Sequence, residues 1–348
     1  MAKIQPKTAI SVNDFEVLGV IGSGSYGTVK KVMRLKDKKI FVWKELDYSS
    51  ASESDKQMLV SEVNLLRELK HENIVKYVDR IIDRKKSILF LIMEYCEGGD
   101  LASYIAKVKK EGSTVEEQFI WKVCYQLTQA IKECHSRSKY GRSVLHRDLK
   151  PANIFLDSQL NVKLGDFGLA RVLKHETSFA KTCVGTPLYM SPEQMSGMEY
   201  NEKSDMWALG CLLYELCSLR PPFVANNQIE LAAKICMGKF DRISKNYSIK
   251  LYSLICSLLD VDVEKRPSIE VLLQNSALLN YHASNENNKM QQHQQQQNEL
   301  DNMREEIAQL KNDLLVKKLE LKKREKDIEV KEKEIEKRLT DIEAEKRI

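Results

Sequence analysis

The chain has 348 residues, of which 43% are hydrophobic, and a formal net charge of +5. This length allows a folded domain of two lobes with a further segment. No apolar run reaches the ~18 residues that span a membrane, residues 1–11 lack a signal-peptide core, and eight scattered cysteines indicate a reduced intracellular protein. The mild charge gives no reason to expect a nucleic-acid or membrane partner.

The first predicted elements surround a glycine-rich turn. Residues 1–13 are expected to form a flexible lead, and a strand from Phe15 to Val20 follows. The turn and the start of the next strand contain Ile21, Gly22, Ser23, Gly24, Ser25, Tyr26, Gly27 and Val29. Glycines let backbone N–H groups lie close to phosphates. A plain glycine-rich hairpin is the alternative, whereas a Rossmann turn would lead into a helix.

Lys44 ends the apolar sequence Phe41-Val42-Trp43. A lysine inside such a strand needs an anionic partner, unless it is an edge lysine that reaches water. Glu62 lies on the apolar side of an amphipathic helix predicted over residues 54–69, and its i+4 neighbour is Leu66, which is no cation. The sequence therefore predicts an ion pair between Lys44 and Glu62.

A hairpin and an extended connector are predicted next. The hairpin strands run from Ile74 to Ile82 and from Ile88 to Met93, and the connector starts at Glu94 and includes Cys96. The glycines of the connector suit a segment whose backbone hydrogen-bonds a ligand. Helices are predicted from residue 101, with Asp100 as N-cap, and over residues 115–135.

A polar loop then brings a carboxylate, a lysine and a carboxamide close together in sequence. These are Asp148, Lys150 and Asn153, and two short strands follow them. A second carboxylate, Asp166, begins the tripeptide Asp166-Phe167-Gly168. A catalytic loop between strands, followed by a strand that delivers a metal-binding aspartate, has this pattern.

The segment after this tripeptide is rich in hydroxyl side chains and ends in a helix start. Its candidate phosphorylation sites are Thr182, Thr177, Ser178 and Thr186, and it closes with Ser191-Pro192-Glu193. Thr182 is the leading site, while Thr186 has an alternative role as a hydrogen-bond partner near Asp148.

Two further residues are predicted to support this region from the second half of the chain. Asp205 begins a strongly apolar helix, so its carboxylate is placed to cap backbone N–H groups beneath the polar loop. Arg266 supplies a cation that is predicted to pair with Glu193, with an exposed arginine as the alternative.

In order and spacing, these motifs resemble the eukaryotic protein kinases over residues from about 15 to 275. Lys150, two residues after Asp148, is the form found in Ser/Thr kinases. Finer features resemble the NIMA-related (Nek) family, and most of all its centrosomal member with a coiled-coil tail. These features are residues 42–48 (VWKELDY), 61–71 (SEVNLLRELKH), 93–101 (MEYCEGGDL) and 191–193 (SPE).

The resemblance implies an α+β, bilobal protein-kinase fold with a small β-rich N-lobe over about 14–95 and a larger helical C-lobe over about 100–279. It implies a Ser/Thr protein kinase acting on protein substrates, activated by phosphorylation of its activation loop. It further implies roles in centrosome organisation and mitosis, located at the centrosome, cytoskeleton and cytoplasm, with the nucleus as an alternative.

The resemblance also assigns the site residues. Asp148 and Lys150 are catalytic, Asn153 and Asp166 bind Mg²⁺, with Mn²⁺ as an alternative ion, and Arg147 receives an activation-loop phosphate. ATP lies against residues of both lobes: Ile21, Gly22, Ser23, Gly24, Ser25, Tyr26, Gly27, Val29, Val42, Lys44, Met93, Glu94, Cys96, Phe155 and Asp166.

The tail has two parts. Residues 280–299 are rich in Asn, Gln, His and Ser, and are predicted to be a disordered linker. From residue 300 an apolar residue recurs every seventh position: Leu300, Ile307, Leu314, Leu321, Ile328, Ile335 and Ile342. This repeat predicts a coiled coil over 300–348 that forms a parallel homodimer. The second seam is mostly charged, so a solitary charged helix is the alternative.

Two other functions compete with the enzyme. A pseudokinase scaffold would bind partners through the tail, but every catalytic residue type is present. A structural coiled-coil protein is the second alternative, and about 260 residues of ordered motifs argue against it.

Overall fold

The structure is a computed structural model that describes residues 10–24, 27–136, 144–166 and 187–345. The chain divides into two compact units, residues 1–282 and 283–348, and each is described by itself. No helix in the described ranges is both long enough and apolar enough to cross a membrane.

A five-stranded antiparallel sheet forms the first part of the larger unit. Its strands lie in the order β1, β2, β3, β5, β4. Their bounds are Phe15–Gly24 (β1), Gly27–Arg34 (β2), Ile40–Asp47 (β3), Tyr77–Asp83 (β4) and Ile88–Glu94 (β5). Gly24 at the end of β1 pairs with Gly27 at the start of β2, and β5 leads directly into the connector.

The two faces of this sheet have different neighbours because side chains alternate along each strand. Phe15, Trp43 and Phe90 pack edge to face in one cluster, and Ile10 and Val12 cover it. Residues 10–13 are therefore not a free lead, which corrects that part of the prediction: their apolar side chains bury the bulky Trp43.

The opposite face of the sheet packs against helix α1, Glu53–Glu68. Leu46 of β3 and Leu91 of β5 meet Leu59 and Val63 of the helix. Ser52 starts the helix in a capping box with Asp55, which satisfies backbone N–H groups that a helix start leaves without partners. This contact brings α1, and Glu62 with it, to the Lys44 side of the sheet.

Helices form most of the rest of the larger unit. They are α2 (Leu101–Lys110), α3 (Glu117–Ser136), α4 (Pro192–Met195), α5 (Glu202–Ser218), α6 (Gln228–Met237), α7 (Ile249–Leu258) and α8 (Ile269–Leu273). Asp100 caps α2 as predicted, accepting the N–H of Ser103 at 2.8 Å. Helix α5 is buried on nearly every side, so it is the central element against which α3 and α7 pack.

A second, two-stranded sheet lies between α3 and α4 in the sequence. Its strands are β6 (Ile154–Leu156) and β7 (Val162–Leu164), and they are antiparallel. A single 3-10 turn, Pro151–Asn153, precedes β6. The sheet of one part and the helices of the other confirm the predicted bilobal kinase architecture.

One helix, α9, spans Ser276–Glu345. The prediction of a disordered linker over 280–299 is therefore wrong, because these residues are helical. Residues 276–345 contain neither Gly nor Pro, and Gln is about as good a helix former as Leu or Lys. Beyond residue 300 the heptad side chains of α9 are exposed, for example Leu300 at 51% and Leu314 at 67%.

Candidate active site

The polar loop before β6 is held from below by the buried carboxylate of Asp205. This carboxylate accepts the N–H of His146 at 3.2 Å and the N–H of Arg147 at 3.4 Å, and the ring of His135 lies 2.8 Å from it. Arg147 has a φ of +66°, a strained conformation for a non-glycine residue. The predicted cap beneath the loop is confirmed, and it holds this backbone in place.

The ring of His146 contacts the backbone at two places, near Asp148 and near Asp166. Nε2 lies 2.9 Å from the carbonyl of Gly165, and Nδ1 accepts the N–H of Asp148 at 3.3 Å. One nitrogen must donate while the other accepts, so this ring is the neutral tautomer. Complete burial also lowers the pKa of His146. The ring therefore fixes the backbone of Asp148 and that of the residue before Asp166.

The Asp148 carboxylate is oriented by its two neighbours from the same loop. Lys150 Nζ contacts Oδ2 at 2.9 Å, and the Asn153 amide donates to the same oxygen and to the Asp148 carbonyl, each at 2.8 Å. The Asp148 side chain is 26% exposed, so it is reachable from the cleft. Both sequence-predicted catalytic residues lie together here.

Lys44 forms an ion pair with Asp166, and not with Glu62 as predicted. The Lys44 side chain is only 7% exposed, so its charge needs one anion. Asp166, held at a φ of +56° just after β7, supplies that anion. Because one carboxylate satisfies the buried ammonium group, the Lys44–Glu62 pair is corrected.

Glu62 has a different environment. Burial raises the pKa of this carboxyl, and the positive charge of Arg147 opposes that rise. Glu62 therefore lies within electrostatic range of the catalytic loop's arginine rather than at the Lys44 ammonium group.

The oxygen atoms available in this cleft suit magnesium. Mg²⁺ prefers a few carboxylate or carbonyl oxygens completed by phosphate and water. Asn153 donates its amide hydrogens to Asp148, so its amide oxygen is the atom that would hold Mg²⁺, and the Asp166 side chain is 40% exposed. No cluster of three or more His, Cys, Asp or Glu side chains suits a metal in the described ranges.

Strands β2, β3 and β5 carry predicted nucleotide-binding residues of the first part of the unit. Val29 lies opposite Lys44, and Val42 lies opposite Met93. Gly27 has a φ of +118°, and a Cβ there would lie 1.9 Å from the carbonyl oxygen of Glu45. Only glycine fits this position, which keeps the turn close to the strand that carries Lys44.

The connector between the lobes is attached to the small sheet. Gly98 donates to the Leu156 carbonyl at 2.9 Å, and Leu156 donates to the Gly99 carbonyl at 2.8 Å. Phe155 packs closely against Gly165, because a Cβ on Gly165 would lie 2.8 Å from the Phe155 ring. Cys96 lies within the connector, and burial raises the pKa of its thiol to about 12, so it is not a nucleophile.

Glu193 and Arg266 form the predicted buried pair. Arg266 Nη1 lies 2.8 Å and Nη2 lies 3.1 Å from the two carboxylate oxygens, with side-chain exposures of 0% and 3%. Ser204 adds a hydroxyl donor to Glu193 at 2.7 Å. This bidentate pair fixes the end of the segment that follows the cleft.

Several predicted residues lie outside the described residues. They are Ser25 and Tyr26 of the glycine turn and the candidate phosphosites Thr177, Ser178, Thr182 and Thr186. Ile21, Gly22, Ser23 and Gly24 belong to the end of β1.

Sequence reasoning gave no role to His146, or to Lys163, which contacts Glu94. The pattern around Asp148 includes the histidine, but its two hydrogen bonds need the folded loop. Lys163 lies between two buried residues of β7. Because side chains alternate along a strand, the sequence indicated that Lys163 faces the opposite side from these neighbours, but not what it contacts there.

The comparisons with known proteins agree with this geometry. The protein kinase domain family matches residues 15–278. The chain is 64% identical over 262 residues to "Serine/threonine-protein kinase Nek2" of Homo sapiens, which covers 75% of this chain and 59% of that protein. It is 48% identical to "Probable serine/threonine-protein kinase nek2" of Dictyostelium discoideum, over 75% of this chain and 62% of that protein.

A third relative is the "G2-specific protein kinase fin1" of Schizosaccharomyces pombe, 41% identical over 76% of this chain and 38% of that protein. The chain therefore aligns with less than two thirds of the length of each of these three relatives. The family match covers both walls of the cleft and the Asp148 loop. The chain belongs to the protein kinase family, within which it is similar to the NIMA-related kinases.

Proposed function

We propose that the chain is a protein kinase that transfers the γ-phosphoryl group of ATP to serine or threonine hydroxyls of protein substrates. The observation that carries this proposal is the convergence of Asp148, Lys150 and Asn153 with the Lys44–Asp166 pair at one cleft. The ordered hydrogen bonds among them orient a base and two oxygen ligands, which is what phosphoryl transfer requires of a protein.

In this mechanism each residue has one task. Lys44 binds the α- and β-phosphates, and the backbone of Gly22–Gly27 lies over them. The Asp148 carboxylate orients the substrate hydroxyl and accepts its proton while oxygen bonds to the γ-phosphorus and the bond to the β-phosphate oxygen breaks, releasing ADP. Lys150 offsets charge on the transferred group. Asn153 and Asp166 would hold Mg²⁺, which would supply charge neutralisation to the phosphates.

Transfer of labelled phosphate from ATP to casein tests this function. We expect label on phosphoserine and phosphothreonine, and its loss when EDTA removes the metal. Absence of label with casein and with several other protein substrates, or label confined to tyrosine, would contradict the proposal.

Thr182 is proposed as the activating phosphosite. Arg147 adjoins Asp148, and its charge already acts on the carboxyl of Glu62, so a phosphate on the segment would find a cation beside the catalytic residue. We expect Thr182→Ala to lower casein phosphorylation by about tenfold and Thr182→Glu to restore part of it. Thr177→Ala tests a competing site in the same segment, and equal activity of wild type and Thr182→Ala would remove Thr182 from this role.

The tail is proposed to form a parallel homodimer through residues 300–348. The exposed heptad side chains Ile307, Leu321 and Ile328 are 51%, 59% and 55% accessible, and pairing two helices would bury them. A dimer raises the local concentration of one kinase domain near the other and favours phosphorylation in trans.

Sedimentation at micromolar protein concentration tests the dimer. We expect about twice the monomer mass for the full chain and the monomer mass after deletion of residues 300–348. If the full chain also sediments as a monomer, the dimer is wrong.

From the similarity to the NIMA-related kinases, and from the words "G2-specific" in the name of one relative, we also propose a role in cell-cycle control. Centrosome organisation is the specific role, with the protein at centrosome, cytoskeleton and cytoplasm. Imaging of the tagged chain together with a centrosome marker through the cell cycle tests it, and absence of the chain from centrosomes at every stage would contradict it.

A further inference from the structure

Glu94, the first residue of the connector, makes polar contacts with elements on both sides. Its carboxylate accepts the backbone N–H of Lys76 at 2.7 Å, just before β4. The same carboxylate lies 3.1 Å and 3.3 Å, through its two oxygens, from Nζ of Lys163 in β7. The side chains of Lys163 and Glu94 are 18% and 27% exposed, so this ion pair is largely shielded from water.

The contact with Lys76 replaces a bond of the β4–β5 ladder. The pairing Tyr77 with Met93 continues to Lys76 and Glu94, and the N–H of Glu94 donates to the Lys76 carbonyl at 3.0 Å. In a regular antiparallel pair, the N–H of Lys76 would in return donate to the Glu94 carbonyl. Here it donates to the Glu94 carboxylate, so the Lys76 N–H leaves that carbonyl to another donor.

Lys163 determines whether the carboxylate stays in this place. Without the lysine, the Glu94 carboxylate gains little by accepting the Lys76 N–H, because water competes for both oxygens. With the lysine, one carboxylate is shared between β4 and β7, and the connector is attached to the small sheet at Glu94 as well as at Gly98. Both ends of the connector are then fixed.

We propose that Lys163 and Glu94 are positioning residues for the nucleotide: their ion pair holds the Glu94 carbonyl where it accepts the 6-amino group of adenine. This inference rests on the proposed function, since it names how that same cleft selects adenine. Neither side chain touches the reacting phosphate, so the effect of losing the pair belongs to nucleotide binding and not to the chemical step.

Nucleotide affinity of the full chain tests the proposal, measured calorimetrically with Mg²⁺ in an Asp148→Asn background to prevent turnover. We expect Lys163→Met to raise the Kd for ATP about fivefold, equivalent to about 1 kcal/mol. Inosine triphosphate carries an oxygen in place of the amine, so its Kd should not change. In the otherwise wild-type chain, KM for ATP should rise while kcat stays within about twofold.

Matched variants separate positioning from general damage. Lys163→Arg keeps the charge and should restore ATP affinity, and the pair Glu94→Gln and Glu94→Gln/Lys163→Met should bind ATP equally, because the second change removes nothing further. Lys234→Met breaks the distant 2.8 Å ion pair with Glu230 and should leave affinity unchanged. If Lys163→Met fails to fold, Glu94→Gln gives the same ATP and inosine triphosphate comparison.

Three results would overturn the inference. ATP affinity equal in Lys163→Met and wild type is one, and an equal loss for ATP and inosine triphosphate is another, since it would mean general damage to the cleft. The third is a kcat of Lys163→Met that differs from wild type by far more than twofold, since the pair would then act on the chemical step or on motion and not only on nucleotide binding. If wild type itself binds no ATP, the proposed function fails together with this inference, and that outcome is distinct from the other three.

Discussion

Replacing Asp148 by asparagine is expected to lower kcat for casein phosphorylation by about 1,000-fold. Asparagine keeps the size of the side chain, but its amide cannot accept the substrate proton, and a positioned base contributes about 10²- to 10⁴-fold to such a reaction. Lys150 and Asn153 contact this carboxylate, so the substitution also removes their anionic partner. We expect the substrate hydroxyl to be less well oriented as a result. The measurement is the initial rate at saturating ATP and casein.

Two controls accompany this variant. Its Kd for ATP should remain within about threefold of wild type, because Asp148 is proposed to act on the protein substrate. Asp241→Asn removes a carboxylate that is 75% exposed and paired with Arg220 at the surface, and it should be fully active. A rate for Asp148→Asn within tenfold of wild type would remove Asp148 as the base.

Replacing Arg266 by methionine is expected to lower the free energy of unfolding of the kinase domain by about 3–5 kcal/mol. The change leaves the Glu193 carboxylate, 3% exposed, without its cation. Methionine fills much of the volume, so the cost is mainly electrostatic. The measurement is chemical denaturation of the chain with residues 300–348 deleted, so that unfolding of the tail does not contribute to the signal. Arg220→Met, at the exposed surface pair, is the control and should change stability by less than about 1 kcal/mol.

The pH dependence of the same pair has a defined sign. Burial acts to raise the pKa of Glu193, but the hydrogen bonds from Arg266 and Ser204 outweigh it and lower the pKa below 4.5. A lowered folded-state pKa contributes stability above the unfolded pKa, and this contribution is lost as the pH falls through the folded pKa. Glu193→Gln/Arg266→Met should therefore lose less stability than wild type between pH 5 and about pH 3. Equal acid sensitivity would contradict the lowered pKa.

The architecture and much of the cleft were predictable because their signals are local. Asp148, Lys150 and Asn153 lie within one short loop, and the geometry of that loop follows from its sequence neighbours. The roles of Asp205 and Arg266 were also predictable, since a charged residue beside an apolar helix must find a partner. In each case the residue type demanded a contact that few other residues were able to supply.

Other features depend on choices that sequence does not settle. Lys44 requires an anion, but both Glu62 and Asp166 are candidates, and only the folded position of Asp166, just after β7, decides between them. Lys163 and Glu94 are 69 positions apart, and nothing in either local pattern connects them. Residues 280–299 were judged by low complexity, whereas their helix propensity and lack of glycine and proline decided the outcome.

The transferred phosphate itself tests the central claim most directly. Wild-type chain and Asp148→Asn are incubated separately with ATP, Mg²⁺ and casein, and every phosphorylated residue in casein and in the chain is located by mass spectrometry. We predict phosphoserine and phosphothreonine in casein, and phosphate within residues 177–186 of the chain, with wild type only. The same phosphorylated residues at equal levels with both proteins would contradict a kinase whose catalytic base is Asp148.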